Sequence, residues 1–195
     1  MKRLIASHIK KDLPRKIILL SGPRQVGKTT LSKMLLKDYD YLNYDSAEDR
    51  LMILEKSWNR NKQMVIFDEL HKMDKWKGWL KGVYDTEKRP PHLFVTGSAR
   101  LDTVRKVGDS LAGRFFRFRL HPIDVKEASV ICKPDEALER IMNIGGFPEP
   151  FLENDEVFYK RWKKTHLDII LRQDLIDLET VTDIKSIETL IELLR

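Results

Sequence analysis

The sequence predicts an α/β fold, a parallel sheet with helices on both faces. Two observations carry this. Short, continuous apolar runs of buried-strand type recur at residues 16–21, 64–67 and 92–95, separated by stretches of helical periodicity. Between the first run and the helix after it lies Gly22-Pro23-Arg24-Gln25-Val26-Gly27-Lys28-Thr29. A strand, a glycine loop and a helix N-terminus together make an anion site from unpaired N–H groups and the helix dipole.

The elements follow in order. Residues 1–13 place Leu4, Ile5 and Ile9 on one face and lysines opposite, an amphipathic helix that Pro14 ends; residues 1–15 form this N-terminal unit. After the loop, a helix from about Lys28 carries Leu31, Met34 and Leu35 at helical spacing. Tyr41-Leu42-Asn43-Tyr44 alternates as a strand, and Asp45-Ser46 caps a helix through Leu51, Ile53 and Leu54. Trp76, Trp79, Leu80 and Val83 mark an apolar helical stripe, so these tryptophans read as core and not as base-stacking surfaces. A helix is expected at 101–111. In residues 115–120, Arg117 and Arg119 face one way and Phe116, Phe118 and Leu120 the other, a strand closed by His121-Pro122. The β-α-β-α-β-α-β-α-β order implies parallel strands and right-handed crossovers, with the core at 16–125. Beyond it, 126–195 reads as a helical C-terminal segment with helices at 137–144, 157–171 and 184–194. Gly145-Gly146-Phe147-Pro148-Glu149-Pro150 is a stiff loop and the best boundary candidate. The last stripe (Ile184, Ile187, Ile191, Leu194) ends uncapped and calls for a partner, either further chain or another subunit.

The loop fits G-x-x-x-x-G-K-S/T, and each fixed residue has a physical task. Gly22 and Gly27 allow tight turns and close approach to phosphate oxygens. Lys28 sets a cation against the β- and γ-phosphates, and Thr29 offers a hydroxyl to Mg²⁺. Pro23, Arg24, Gln25, Val26 and Thr30 complete the stretch that cradles a nucleotide, with Arg24 facing solvent or a partner. The 64–67 strand ends in Asp68-Glu69. A strand-end Asp at this place holds Mg²⁺, and Glu69 beside it suits the general base that polarises water. The 92–95 strand runs into Thr96-Gly97-Ser98, where Ser98 or Thr96 is placed to touch the γ-phosphate or the attacking water. Arg114 and, second to it, Arg100 are candidates for the cation that meets transition-state charge, Arg114 by reaching a neighbouring subunit's nucleotide. A homo-oligomer is the assembly this would require.

Composition narrows the classes. With 42% hydrophobic and 34% charged residues, the chain suits a globular domain, and its longest apolar runs fall far short of the about 20 residues that span a bilayer. The basic start lacks a following apolar region, so no secretory signal is expected. Cys132 stands alone and the five histidines are scattered, which excludes a disulfide framework and a Cys-based metal cluster. A cytoplasmic place follows. The net charge of +6 is uneven: residues 133–195 hold 9 Lys and Arg against 14 Asp and Glu, and residues 1–132 hold 27 against 16. A basic core suits weak, sequence-independent DNA binding through Lys72, Lys75, Lys77, Lys81, Lys88 and Arg89, although docking onto the acidic segment explains the asymmetry as well.

The loop, Phe67-Asp68-Glu69-Leu70-His71-Lys72, Thr96-Gly97-Ser98 and Ser110-Leu111-Ala112-Gly113-Arg114 together resemble the predicted prokaryotic ATPases of the AAA+ superfamily, P-loop NTPases whose core precedes a C-terminal domain of uncharacterised function. Gly145 to Glu149 and Leu171-Arg172-Gln173-Asp174-Leu175 resemble the opening of that second domain. The resemblance implies a five-stranded sheet in the order 5-1-4-3-2 and ATP with Mg²⁺ as cofactors. It also implies that most of the second domain lies beyond Arg195. The leading expectation is Mg-dependent ATP binding and hydrolysis by a molecular switch. A P-loop kinase for a small molecule and a nucleotide-dependent DNA-binding module without efficient turnover stand as alternatives.

Overall fold

Three strands are apolar on both faces and two are not, and that difference orders the sheet. β1 (Ile17–Ser21) and β3 (Met64–Asp68) are buried at every residue, and β4 (His92–Thr96) at all but its first. β2 (Tyr39–Asn43) and β5 (Phe115–Arg119) are only partly covered. Strands buried on both faces belong in the middle of a parallel sheet and half-covered ones at its edges. The observed order is β2-β3-β4-β1-β5, the expected 5-1-4-3-2 read from the other edge, with all neighbours parallel. The computed structural model describes residues 3–87, 91–98, 111–170 and 184–193. Arg100, Ser110, Leu194, the Lys88 and Arg89 pair, the 171–175 motif and nearly all of the helix expected at 101–111 lie outside them.

Period-two alternation sends each strand's side chains to two separate cores. Ile17 and Leu19 join Val65, Phe67 and Val95 beneath α3 (Ala47–Glu55) and α4 (Trp76–Thr86), which supply Ile53, Trp76, Leu80 and Val83. Ile18 and Leu20 join Ile66 and Phe94 on the other face, under Ile9 of α1 (Ile5–Asp12) and Leu31 and Leu35 of α2 (Lys28–Leu35). Trp58, Phe67 and Trp79 meet edge to face with centroids 5.2–6.0 Å apart, so Trp79 is packing, as its spacing predicted.

The chain continues through α5 (Val125–Ala128), α6 (Pro134–Ile144), α7 (Pro148–Glu153), α8 (Glu156–Ile169) and α9 (Ile184–Leu193). Ile123, Ala128, Ala137 and Phe151 form a small third core there. Three expectations change. Leu4 caps α1 instead of lying within it and is exposed, as are Leu51 and Leu54 on α3, which packs beside the edge strand β2 and buries fully only Ile53. Met34 is exposed because it borders a cavity described below. From Pro148 onward the expected loop is helix, since proline is tolerated in a helix's first turn. Among the described residues, no helix is long and apolar enough to cross a membrane.

A buried ion pair ties the first residues to α5, beyond the last core strand. Arg3 Nε donates to Glu127 Oε2 at 2.8 Å, with both side chains under a tenth exposed. The same guanidinium donates to the carbonyls of Val26 (3.1 Å) and His121, and the Leu4 amide donates to Glu127 Oε1 at 2.7 Å. Removing one partner strands a buried charge, so Arg3→Ala should cost about 3–5 kcal/mol of unfolding free energy. Urea denaturation measures this; a loss below about 1 kcal/mol would show that the pair is dispensable.

Candidate functional site

The phosphate-type loop leaves β1 at Ser21 and is shaped by backbone constraints at three residues. A Cβ at Gly22 would lie 2.4 Å from the Leu120 carbonyl oxygen, so no larger residue fits. Gln25 (φ 61°) and Gly27 (φ 93°) are left-handed and curl the chain into a concavity of amides. Gly27 is also the N-cap of α2 and brings no side-chain acceptor, so the first amides of α2 have no side-chain cap. Val26 is buried, Pro23 and Arg24 are half-buried, and Gln25 and Thr30 are exposed along the rim. Lys28 is 8% exposed, and its ammonium donates to the carbonyls of Gly22 (3.0 Å) and Pro23 (2.7 Å), bridging the loop it follows.

At the end of β3, Asp68 is 6% exposed and collects three hydroxyls from three elements. Thr29 and Tyr41 donate to Oδ2 at 2.8 Å each, and Thr96 donates to Oδ1. Burial, and then the bond to Asp68, pushes the Tyr41 phenol well above its ordinary range. Lys33 lies 3.7 Å above the Tyr41 ring centroid. Thr29 and Asp68, the two expected metal ligands, are thus in direct contact. Hard oxygen donors at the mouth of a phosphate loop fit Mg²⁺, which takes one or two protein oxygens and fills its shell from phosphates and water.

Glu69 follows in a left-handed conformation (φ 56°), its amide bonded to the Thr96 carbonyl at 3.0 Å. Its carboxyl is pushed up, first by burial; Lys72 opposes this, Asp68 adds to it, and Lys28 and Arg24 oppose it further. Oε2 is buried without a hydrogen bond and faces His71 Nε2 at 3.6 Å and Lys72 Nζ at 3.8 Å. Ser98 is buried beside the same imidazole, 3.4 Å from Oγ to Nε2.

The C-terminal segment closes over this loop; the charge asymmetry suggested docking onto the core but not its place. His166 of α8 meets Gln25 Oε1 at 2.6 Å through Nδ1 and stacks on Trp162, centroids 4.4 Å apart. Trp162 Nε1 donates to Glu149 Oε2 at 3.2 Å, and Phe147 packs on both rings. Pro148 would lie 3.8 Å from a Cβ on Gly27. Two spaces result. A cleft of about 420 Å³ is lined by Arg24, Lys28, Thr29, Glu69, Glu149 and Ile169. An apolar cavity of about 660 Å³, behind the loop, is lined by Ala6, Val26, Leu31, Met34, Pro148 and Leu152 among others. Gln25, Gly27, Thr30 and Glu149 border both.

Arg114 is not brought to this cluster. It precedes β5, whose first residue pairs with Ile17, so it lies at the end of the sheet away from the loop. Four residue-to-residue rises along β1 separate the two ends, about 13 Å. Its guanidinium forms a two-pronged pair with Asp85 on α4 at 2.8 and 3.1 Å. That bond lowers the Asp85 carboxyl below its usual range. Tyr41 and His166 are site residues outside every quoted motif, and His71 and Glu149 stand inside motifs that gave them no role.

The chain is similar to several known proteins. The chain is 28% identical over 92% of its length to an uncharacterized protein of Methanocaldococcus jannaschii, spanning 46% of that protein. It is 26% identical over 91% of its length to one of Mycobacterium tuberculosis, spanning 40% of it. The chain therefore spans less than half the length of these curated relatives. Among solved structures, it overlaps a Walker-type ATPase of Pyrococcus abyssi (16% identity, 92% of this chain and 75% of that one, TM-score 0.48). It also overlaps a STAND protein with a tetratricopeptide repeat sensor from Pyrococcus horikoshii (15%, 77% and 29%, TM-score 0.49). Residues 14–129 match the family described as AAA domain. With more than half of its length in that match, the chain belongs to the AAA domain family and carries its nucleotide-binding P-loop fold.

Proposed function

We propose that this chain binds Mg²⁺-ATP at the loop and hydrolyses it. One observation carries the reading: Lys28, Thr29 and Glu69 line one cleft, and Asp68 at the end of β3 meets Thr29 beside it. The apolar cavity behind Gly27 takes the base, and the loop amides and Lys28 take the phosphates, the ammonium turning from the Gly22 and Pro23 carbonyls to the anion. Thr29 and Asp68 hold Mg²⁺, which when bound neutralises charge on the β- and γ-phosphates. Water attacks the γ-phosphorus, the bond to the ADP oxygen breaks, and Glu69 accepts the water's proton. Burial suits Glu69 to this, because a desolvated carboxylate is a stronger base than an exposed one.

Lys28→Ala removes a charge-assisted contact of about 1.5–3 kcal/mol, so ATP affinity should fall about 10- to 100-fold by calorimetry. Unchanged affinity in the folded variant would sink the phosphate-site assignment.

Glu69→Gln should bind ATP as the parent does while losing turnover by about 10²- to 10⁴-fold in a phosphate-release assay. Its stability should also shift in a fixed direction. The folded-state carboxyl is raised, so Glu69 contributes fully below its unfolded value, and that contribution is lost as pH rises through the folded one. The neutral amide escapes the loss. Thermal melts should show the variant more stable than the parent at neutral pH, the gap closing in acid; equal melting at both would contradict the burial assigned to Glu69.

Arg114, paired with Asp85 at the far end of the sheet, does not reach its own loop, so any role it has at a nucleotide is across a subunit interface. Arg114→Ala mixed with Lys28→Ala should then recover part of the turnover that each lacks, and no recovery in verified mixed oligomers would exclude that role.

A further inference from the structure

Beside the proposed base lies a histidine to which the loop chemistry assigns no task. His71 is in the single 3-10 turn, Leu70–Lys72, that follows β3, and its side chain is 4% exposed. One atom, Nε2, faces both Glu69 Oε2 at 3.6 Å and Ser98 Oγ at 3.4 Å. Two oxygens, one of them a carboxylate's, place the imidazole proton on Nε2, since a bare lone pair there would face the negative charge. Lys72 also approaches Glu69, at 3.8 Å, but it is a third exposed and lies 2.5 Å from Asp45. A shared, solvated ammonium orients a carboxylate weakly; a buried N–H holds it in one geometry. Oε2 is fully buried although the Glu69 side chain is 21% exposed, so the group's exposure lies away from His71, toward the cleft that Glu69 lines.

We propose that His71 is a positioning residue: its Nε2–H, set between Glu69 and Ser98, attracts the buried oxygen of the carboxylate without a hydrogen bond at this distance, turning the free part toward the attacking water and leaving the Ser98 proton for the terminal phosphate. The inference rests on Glu69 being the base. His71 itself touches neither water nor nucleotide, so its loss disturbs aim without disturbing ATP binding.

The test compares the full chain with His71→Phe, which keeps a ring without the N–H. His71→Gln sets an amide donor near the Nε2 position, and His71→Asn has a donor too short to reach. Each is measured for ATP affinity, for kcat and KM, for melting temperature, and for the affinity ratio of ADP–aluminium fluoride over ADP. Loss of aim predicts that kcat and the analogue ratio fall about 10- to 100-fold in the Phe and Asn variants, with ATP affinity within about twofold of the parent. The Gln variant should recover most of both. Parent-like kcat in a folded Phe or Asn variant overturns the proposal, as does a Gln variant no better than Asn at equal stability. Glu69→Gln run alongside separates the two readings. Parent turnover there removes the base assignment itself, and so does a parent that neither hydrolyses ATP nor prefers the analogue. Lost turnover in Glu69→Gln with intact His71 variants removes only the role of His71.

Discussion

A buried carboxylate is tolerated only when its lone pairs are satisfied, and Asp68 sets much of the site through that demand. Its three hydroxyl donors come from different elements: Thr29 from the first turn of α2, Tyr41 from β2 and Thr96 from β4. Meeting Asp68 therefore fixes where α2 begins relative to the strand ends, and so where the loop before α2 opens. Thr96 and Asp68 are register partners across β3 and β4, so the sheet itself supplies one of the three bonds. Hydroxyls serve better here than cations. They satisfy the carboxylate while leaving its charge intact for a bound metal.

The loop is fastened from both flanks of the core as well as from within. Arg3 holds the Val26 carbonyl, His166 holds the Gln25 side chain, and Lys28 spans the Gly22 and Pro23 carbonyls. Left-handed Gln25 stores strain of about 1–3 kcal/mol, which persists only where surrounding contacts over-determine the backbone. These ties supply such contacts. The apolar cavity behind the loop has α1, which follows Arg3, on one side and α7, bonded to α8 through Glu149 and Trp162, on the other.

What the sequence disclosed follows from range. The loop, Asp68-Glu69 and the order of elements were legible because each is written in contiguous residues with a period or a fixed spacing. The full burial of β1, β3 and β4 and the partial cover of β2 and β5 likewise appear as continuous against alternating runs. Pairings across long separations leave no such trace. Arg3 with Glu127, Gln25 with His166 and Arg114 with Asp85 are 124, 141 and 29 residues apart. Arg3, Glu127, Asp85 and His166 each read alone as ordinary residues, and Gln25 and Arg114, singled out for the nucleotide, gave no hint of these partners. Tyr41 read only as one side chain of an alternating strand, because the carboxylate it serves is 27 residues away. Gly145 to Pro150, rich in glycine and proline, read as a stiff loop at a boundary. Its composition instead answers to crowding, since a Cβ on Gly146 would lie 2.3 Å from the Ile123 carbonyl oxygen.

The bond between Gln25 and His166 has a thermodynamic consequence that needs no further structure. Gln25 belongs to the loop and His166 to α8, so any ligand that displaces Gln25 must break or bend a 2.6 Å contact on the C-terminal segment. Trp162, stacked on His166 and bonded to Glu149, extends that contact to the border between cleft and cavity. Linkage is reciprocal: if occupancy of the loop changes the free energy of seating α8, then whatever unseats α8 changes affinity at the loop by the same amount. A hydrogen bond and a stacked pair contribute about 1–3 kcal/mol together, enough to shift affinity several-fold to a hundredfold, and not enough to lock either state. The chain spans less than half the length of these relatives. Any element that loads α8 therefore acts on the loop through these few side chains.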